Sequence, residues 1–100
     1  YICFSSGLSS TYNASLLAAE ELMKKYPTCK IICVDSRAAS LGEGLLVYSA
    51  AKKKDQGFEL EELYEWVINN RSHLCHWFTV DDLNHLKRGG RVTAMTAVIG

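Results

Sequence analysis

Two short apolar runs, each ending in a loop of small hydroxylated residues that leads into a helical pattern, constrain this chain more than any other feature. Residues 2–4 end at Ser5-Ser6-Gly7 and are too few for a helix, so they predict a buried strand. From Tyr12 the spacing changes. Tyr12, Leu16, Ala19 and Met23 recur at helical intervals, while Glu20, Glu21, Lys24 and Lys25 take the other face. Ser9 or Ser10 is the expected N-cap, and Pro27 the stop. Lys30-Ile31-Ile32-Cys33-Val34 predicts a second strand, nearly continuous in apolar character as for a strand covered on both faces. It ends at Asp35-Ser36.

The remaining pattern is mostly helical. A helix is expected over 41–56, closing on Lys52-Lys53-Lys54 with Gly57 just beyond its C-cap. Leu60, Leu63, Tyr64, Val67 and Ile68 predict the most amphipathic helix of the chain. Residues 76–80 read as a third strand. Asp81-Asp82 heads a short helix through Leu83 and Leu86 that Gly89-Gly90 stops, and a further helix is expected from Arg91. Alternation of this kind predicts an α/β fold, layered α/β/α with a mainly parallel sheet in the N-terminal part. The polar, aperiodic stretch 69–72 marks an expected boundary. Residues 1–72 would be part of an N-terminal α/β domain, and 73–100 the start of a second α/β domain, both incomplete. With no Met at Tyr1 and an apolar pattern running to Gly100, the expectation is an internal piece of a longer protein.

Composition removes several function classes. Hydrophobic residues make up 48% and charged residues 22% of the 100, which is globular rather than disordered. Eleven basic residues balance eleven acidic ones, so the chain lacks the electrostatic footprint of a nucleic-acid or anionic-membrane binder. No apolar run is long enough to predict a membrane span. The cysteines at 3, 29, 33 and 75 lack C-x-x-C spacing, and they read as reduced thiols of a cytoplasmic protein. His73-Leu74-Cys75-His76 could supply two or three metal ligands but no fourth, so neither a metal nor a cofactor is expected.

The candidate chemistry sits at the strand ends, where open α/β sheets bind ligands. Ser5, Ser6, Gly7 and Ser9 form the first loop, and Ser36, Ser40 and Gly42 belong to the second. Hydroxyls and helix N-terminal N–H groups suit an anionic head group such as a carboxylate or phosphate. Taken alone, such serines are more often caps and turn residues than ligand contacts. Neither the Walker A nor the dinucleotide fingerprint is present, and no G-x-S-x-G elbow accompanies the serines. Asp81-Asp82 reads as capping residues. Arg88 and Arg91 flank the glycine pair, with Arg91 at an expected helix start where the dipole disfavours a cation. They are candidates for a partner or interdomain contact.

Three segments together resemble the DegV family. Ser5-Ser6-Gly7-Leu8-Ser9-Ser10-Thr11-Tyr12 is similar to its S-S-G-L-S-G-T-Y signature, with Ser10 where the family usually has glycine. Asp35-Ser36 with Ser40, Gly42 and Gly44 resembles its D-S-x-x-x-S-x-G-x-G segment. Phe78-Thr79-Val80-Asp81-Asp82-Leu83, then Leu86-Lys87-Arg88-Gly89-Gly90-Arg91-Val92, resembles its F-x-V-D-D-L and L-K-R-G-G-R-I signature. The resemblance implies a two-domain bacterial protein that binds a long-chain fatty acid, palmitate- or oleate-like, between its domains. It also implies a carrier rather than an enzyme. Such a carrier presents the carboxylate to a separate ATP-binding kinase subunit for acyl phosphate formation, and the head group is held by Ser5, Ser6, Gly7 and Ser9. The alternative is an enzyme of sugar-phosphate or dihydroxyacetone-type phosphotransfer that uses the serine loop.

Overall fold

A computed structural model describes residues 1–93. Six elements follow one another among them: β1 (Ile2–Cys3), α1 (Thr11–Lys25), β2 (Val34–Asp35), α2 (Ser40–Asp55), α3 (Leu60–Asn70) and α4 (Leu83–Arg88). The two strands pair in parallel, Ile2 beside Val34 and Cys3 beside Asp35. The ladder closes through Val34 N–H to the Tyr1 carbonyl at 2.8 Å and Ser36 N–H to the Cys3 carbonyl at 3.0 Å. The Tyr1 ammonium donates to the Ile32 carbonyl at 2.7 Å.

Alternation along the strands builds the layers, because successive side chains leave on opposite faces. Val34 joins Leu46, Ala50 and Val67 in one buried cluster, with Ile2, Leu63, Tyr64 and Ile68 packed around it. That cluster ties the sheet to α2 and α3. Cys3 and Cys33 face the other way, onto α1. The Cys3 Sγ lies 3.3 Å from the Ser15 hydroxyl, and the Cys33 thiol donates to the Ser15 carbonyl at 3.5 Å. The expected α/β class with parallel pairing is therefore the observed one.

The helices start and stop where local chemistry dictates. Helix α1 ends at Lys25, two residues before Pro27, whose ring disfavours helical backbone at the residue preceding it. Gly57, after the C-cap of α2, takes a φ of 96°, which a side chain would resist. A pair between Lys30 and Glu61 links the approach to β2 with the first turn of α3. Asp82 caps α4 by accepting from Asn84 N–H at 2.8 Å.

The third expected strand does not form. Residues 76–80 carry no strand pairing among the described residues, and Trp77 is 98% exposed. An aromatic and β-branched run fits a pleated surface only if a neighbouring strand accepts its backbone groups, and among the described residues no such neighbour lies beside this one. The predicted strand at 30–34 likewise pairs only at its end, in β2. His76 instead lies on α2. An added Cβ at Gly42 would come within 2.8 Å of its ring. The helix expected from Arg91 falls, beyond Thr93, outside the described residues. A radius of gyration of 16.2 Å exceeds the roughly 13 Å of a 100-residue domain.

Candidate ligand-binding site

The two hydroxylated loops meet because their strands are neighbours. Pairing Cys3 with Asp35 sets the residues that follow each strand side by side. Asp35 then joins them. Its Oδ2 accepts from the Ser6 hydroxyl at 2.6 Å, and its Oδ1 accepts from Ser6 N–H at 3.2 Å and Arg37 N–H at 2.9 Å. Behind it, the Arg71 guanidinium donates to the Asp35 carbonyl at 2.6 Å. Partial burial pushes the Asp35 carboxyl up, but the Ser6 hydroxyl, the Arg37 and Ser6 N–H groups and the Arg71 charge outweigh it. The group is held below the usual aspartate value.

The first loop is saturated internally. Ser5 N–H reaches the Ala38 carbonyl at 2.9 Å, and Leu8 and Ser9 N–H both reach the Ser5 carbonyl, at 3.0 and 3.1 Å. Gly7 N–H donates to the Ser5 hydroxyl oxygen at 3.3 Å. With Ser6 on Asp35, every N–H from Ser5 to Ser9 has an acceptor. The Ser9 hydroxyl shares a 2.8 Å contact with that of Thr11 and accepts from Thr11 N–H at 3.2 Å. Ser10 occupies the N-cap without a side-chain cap bond.

In the second loop the residues divide. Ser36 is fully buried, accepting from Ala38 N–H at 3.1 Å and donating to the Ala38 carbonyl at 3.3 Å, so it holds the turn. Gly42 is buried beneath His76. Ser40 is exposed and has a φ of 50°, and Arg37 has a φ of 55°. Two non-glycine residues in the left-handed region mark a loop held in strain by its surroundings, a condition concentrated at ligand sites.

Above the loops runs an open cleft. One part, about 680 Å³, is walled by Phe4, Leu8, Phe78, Val80, Leu83 and Leu86, with Ser40 at its edge. A second part, about 650 Å³, shares Phe4, Leu8 and Leu86 and adds Ser9, His85, Arg88 and Arg91. Each volume lies in the roughly 300–1,000 Å³ range of small-molecule clefts. One end is apolar and the other cationic. Arg91 clasps the first loop, donating from Nε to the Leu8 carbonyl at 3.3 Å and from Nη1 to the Gly89 carbonyl at 2.6 Å. Of the residues singled out in the sequence, Ser9, Ser40, Arg88 and Arg91 line the cleft, Ser5, Ser6 and Gly7 form the loop below it, and Ser36 and Gly42 lie apart. Sequence reasoning missed Asp35 as the joint between the loops, although its place at a strand end was a signal. It also missed the apolar walls, whose residues are scattered along the chain. Among the described residues no three His, Cys, Asp or Glu side chains gather as a metal set, and no helix is long and apolar enough to cross a membrane.

Parallel strands with loops at their carboxyl ends, set beneath an amphipathic cleft, define an α/β fold of the class that receives ligands at strand ends. The chain belongs to the DegV family. The family model, described as an uncharacterised protein of that family, matches residues 1–100. The chain is 58% identical over 100 residues to the DegV domain-containing protein CPE0026 of Clostridium perfringens, covering 100% of this chain and 34% of that protein. It is 44% identical over 100 residues to the DegV domain-containing protein YteA of Lactococcus lactis, covering all of this chain and 35% of the relative. Over 99 residues it is 32% identical to the DegV domain-containing protein SA0704 of Staphylococcus aureus, 99% of this chain and 33% of the relative. The chain thus spans about a third of the length of the curated relatives it matches.

Proposed function

We propose that this chain supplies one side of a fatty-acid site in a carrier protein that presents a long-chain acyl carboxyl group to a separate ATP-binding kinase subunit. The observation that carries the reading is the cleft, apolar between Phe78, Val80, Leu83 and Leu86 and cationic at Arg88 and Arg91. That polarity matches an amphiphile. Each methylene taken out of water contributes about 0.8 kcal/mol, so the tail drives binding and the head group sets its direction. The head group reaches the first loop at Ser5, Ser6, Gly7 and Ser9, with Ser40 at the cleft edge. Arg88 and Arg91 form the rim from which a partner subunit would be met. Residues 1–72 and 73–100 would belong to two domains that share the cleft, in a cytoplasmic protein. The phosphotransfer alternative is less well supported, because a triose or sugar phosphate has no apolar tail to set against Phe78, Val80, Leu83 and Leu86.

The test is a calorimetric titration of palmitate and of oleate into the full-length protein and its Phe78→Asp variant. Phe78 is 70% exposed, so the substitution places a charge in the cleft without opening a core. Affinity for both acids should fall by more than about tenfold, since an aspartate cannot share an apolar wall without losing hydration. Equal affinity would remove the cleft from the acyl path.

A further inference from the structure

We propose that Asp35 is a positioning residue that turns Ser6 into a hydrogen-bond acceptor, so that the first loop receives the fatty-acid head group as the neutral carboxylic acid. This rests on the fatty-acid reading above and deepens it. A serine hydroxyl has one proton and two lone pairs. In Ser6 that proton lies on the 2.6 Å bond to Asp35 Oδ2, because an ionised carboxylate only accepts. What Ser6 offers outward is therefore its lone pairs. Each backbone N–H from Ser5 to Ser9 already has an acceptor within the protein, so the loop's backbone adds no donor beside Ser6. A carboxylate, which only accepts, would meet an acceptor at Ser6 and a second negative charge at Asp35. A carboxylic acid would donate its O–H to Ser6 Oγ and keep its carbonyl as acceptor.

The charged and titratable groups around this point do not reverse the argument. Arg71 approaches Asp35 from the end of α3 but binds its backbone carbonyl. Arg37 contacts it through backbone N–H. From the α4 side, Arg91 is engaged by the Leu8 and Gly89 carbonyls, and His85 and Arg88 line the cleft beside Leu8 and Ser9 rather than Ser6. The anion nearest the Ser6 hydroxyl is Asp35, and like charge raises the titration point of a second carboxyl.

The probe is palmitate labelled with carbon-13 at its carboxyl carbon, bound to the full-length protein and followed by NMR through a pH titration. The labelled carboxyl should titrate at least about one unit above the same acid free in detergent micelles. In Asp35→Asn the amide can donate to Ser6 Oγ, freeing the hydroxyl proton for the ligand, and the titration should return toward the free value. A second variant needs no change at Asp35. Ser6→Ala should weaken binding roughly fivefold at about pH 5, where the donated O–H is lost, and less at about pH 8. An unshifted carboxyl in the bound wild-type complex overturns the inference while leaving the fatty-acid reading intact. Failure of the labelled acid to bind at all overturns both.

Discussion

Replacing Gly42 by alanine probes the contact that docks the 73–82 segment on α2. The added Cβ would stand 2.8 Å from both Cγ and Cδ2 of His76 and 3.2 Å from its Nδ1, closer than packed carbons tolerate. Overpacking of this kind costs about 1–3 kcal/mol. The opposing term is helix propensity, worth up to about 1 kcal/mol for alanine over glycine, and less in the first turn where Gly42 sits. A second offset comes from the imidazole itself. Its Nδ1 is buried without a hydrogen-bond partner among the described residues, so displacing the ring returns that atom to water. The net expectation for Gly42→Ala is a loss of about 1 kcal/mol, with the segment lifted off the helix. In a His76→Ala background the clash is gone, and the same substitution should be neutral or stabilising. Urea denaturation of wild type, both single variants and the double variant gives the coupling, expected at about 1–2 kcal/mol. If Gly42→Ala changes stability equally in both backgrounds, within about 0.5 kcal/mol, the contact does not hold the segment and the reasoning fails.

Two further outcomes follow from the packing and the electrostatics. Leu46 is fully buried in the cluster with Val34, Ala50 and Val67, so Leu46→Ala should cost about 2–5 kcal/mol in denaturant unfolding, and a loss below 1 kcal/mol would contradict that core. Asp35 is held below its ordinary value in the folded protein, so its contribution is present above the unfolded value and is lost as pH falls through the folded one. Asp35→Asn should therefore flatten the acid limb of a stability-against-pH curve while leaving the slope near neutrality unchanged.

What could be read from the sequence depended on how local the cause was. Pro27, Gly57 and Asp82 end or start helices through bonds within a few residues, and the observed ends fall at or beside the expected ones. The parallel pairing was legible because both apolar runs lead into helices, which leaves a crossover as the connection. The strand at 76–80 was misread because aromatic and β-branched content reports a fit to a sheet, not whether a neighbour exists. Asp35 and Ser6 are 29 residues apart, and no spacing rule joins them. Only the register of β1 against β2 brings them together. Ser36 shows the converse. Its place in the motif suggested a ligand contact, yet its burial and its bonds to Ala38 depend on how the turn packs.

The account stands most directly on what the cleft contains. Mass spectrometry of an organic extract of the full-length protein, purified without added lipid, should show a palmitate- or oleate-like fatty acid in about one-to-one ratio with protein, as expected of a ligand held through its apolar tail. A bound triose or sugar phosphate in that ratio, with no long-chain acyl species, would contradict it.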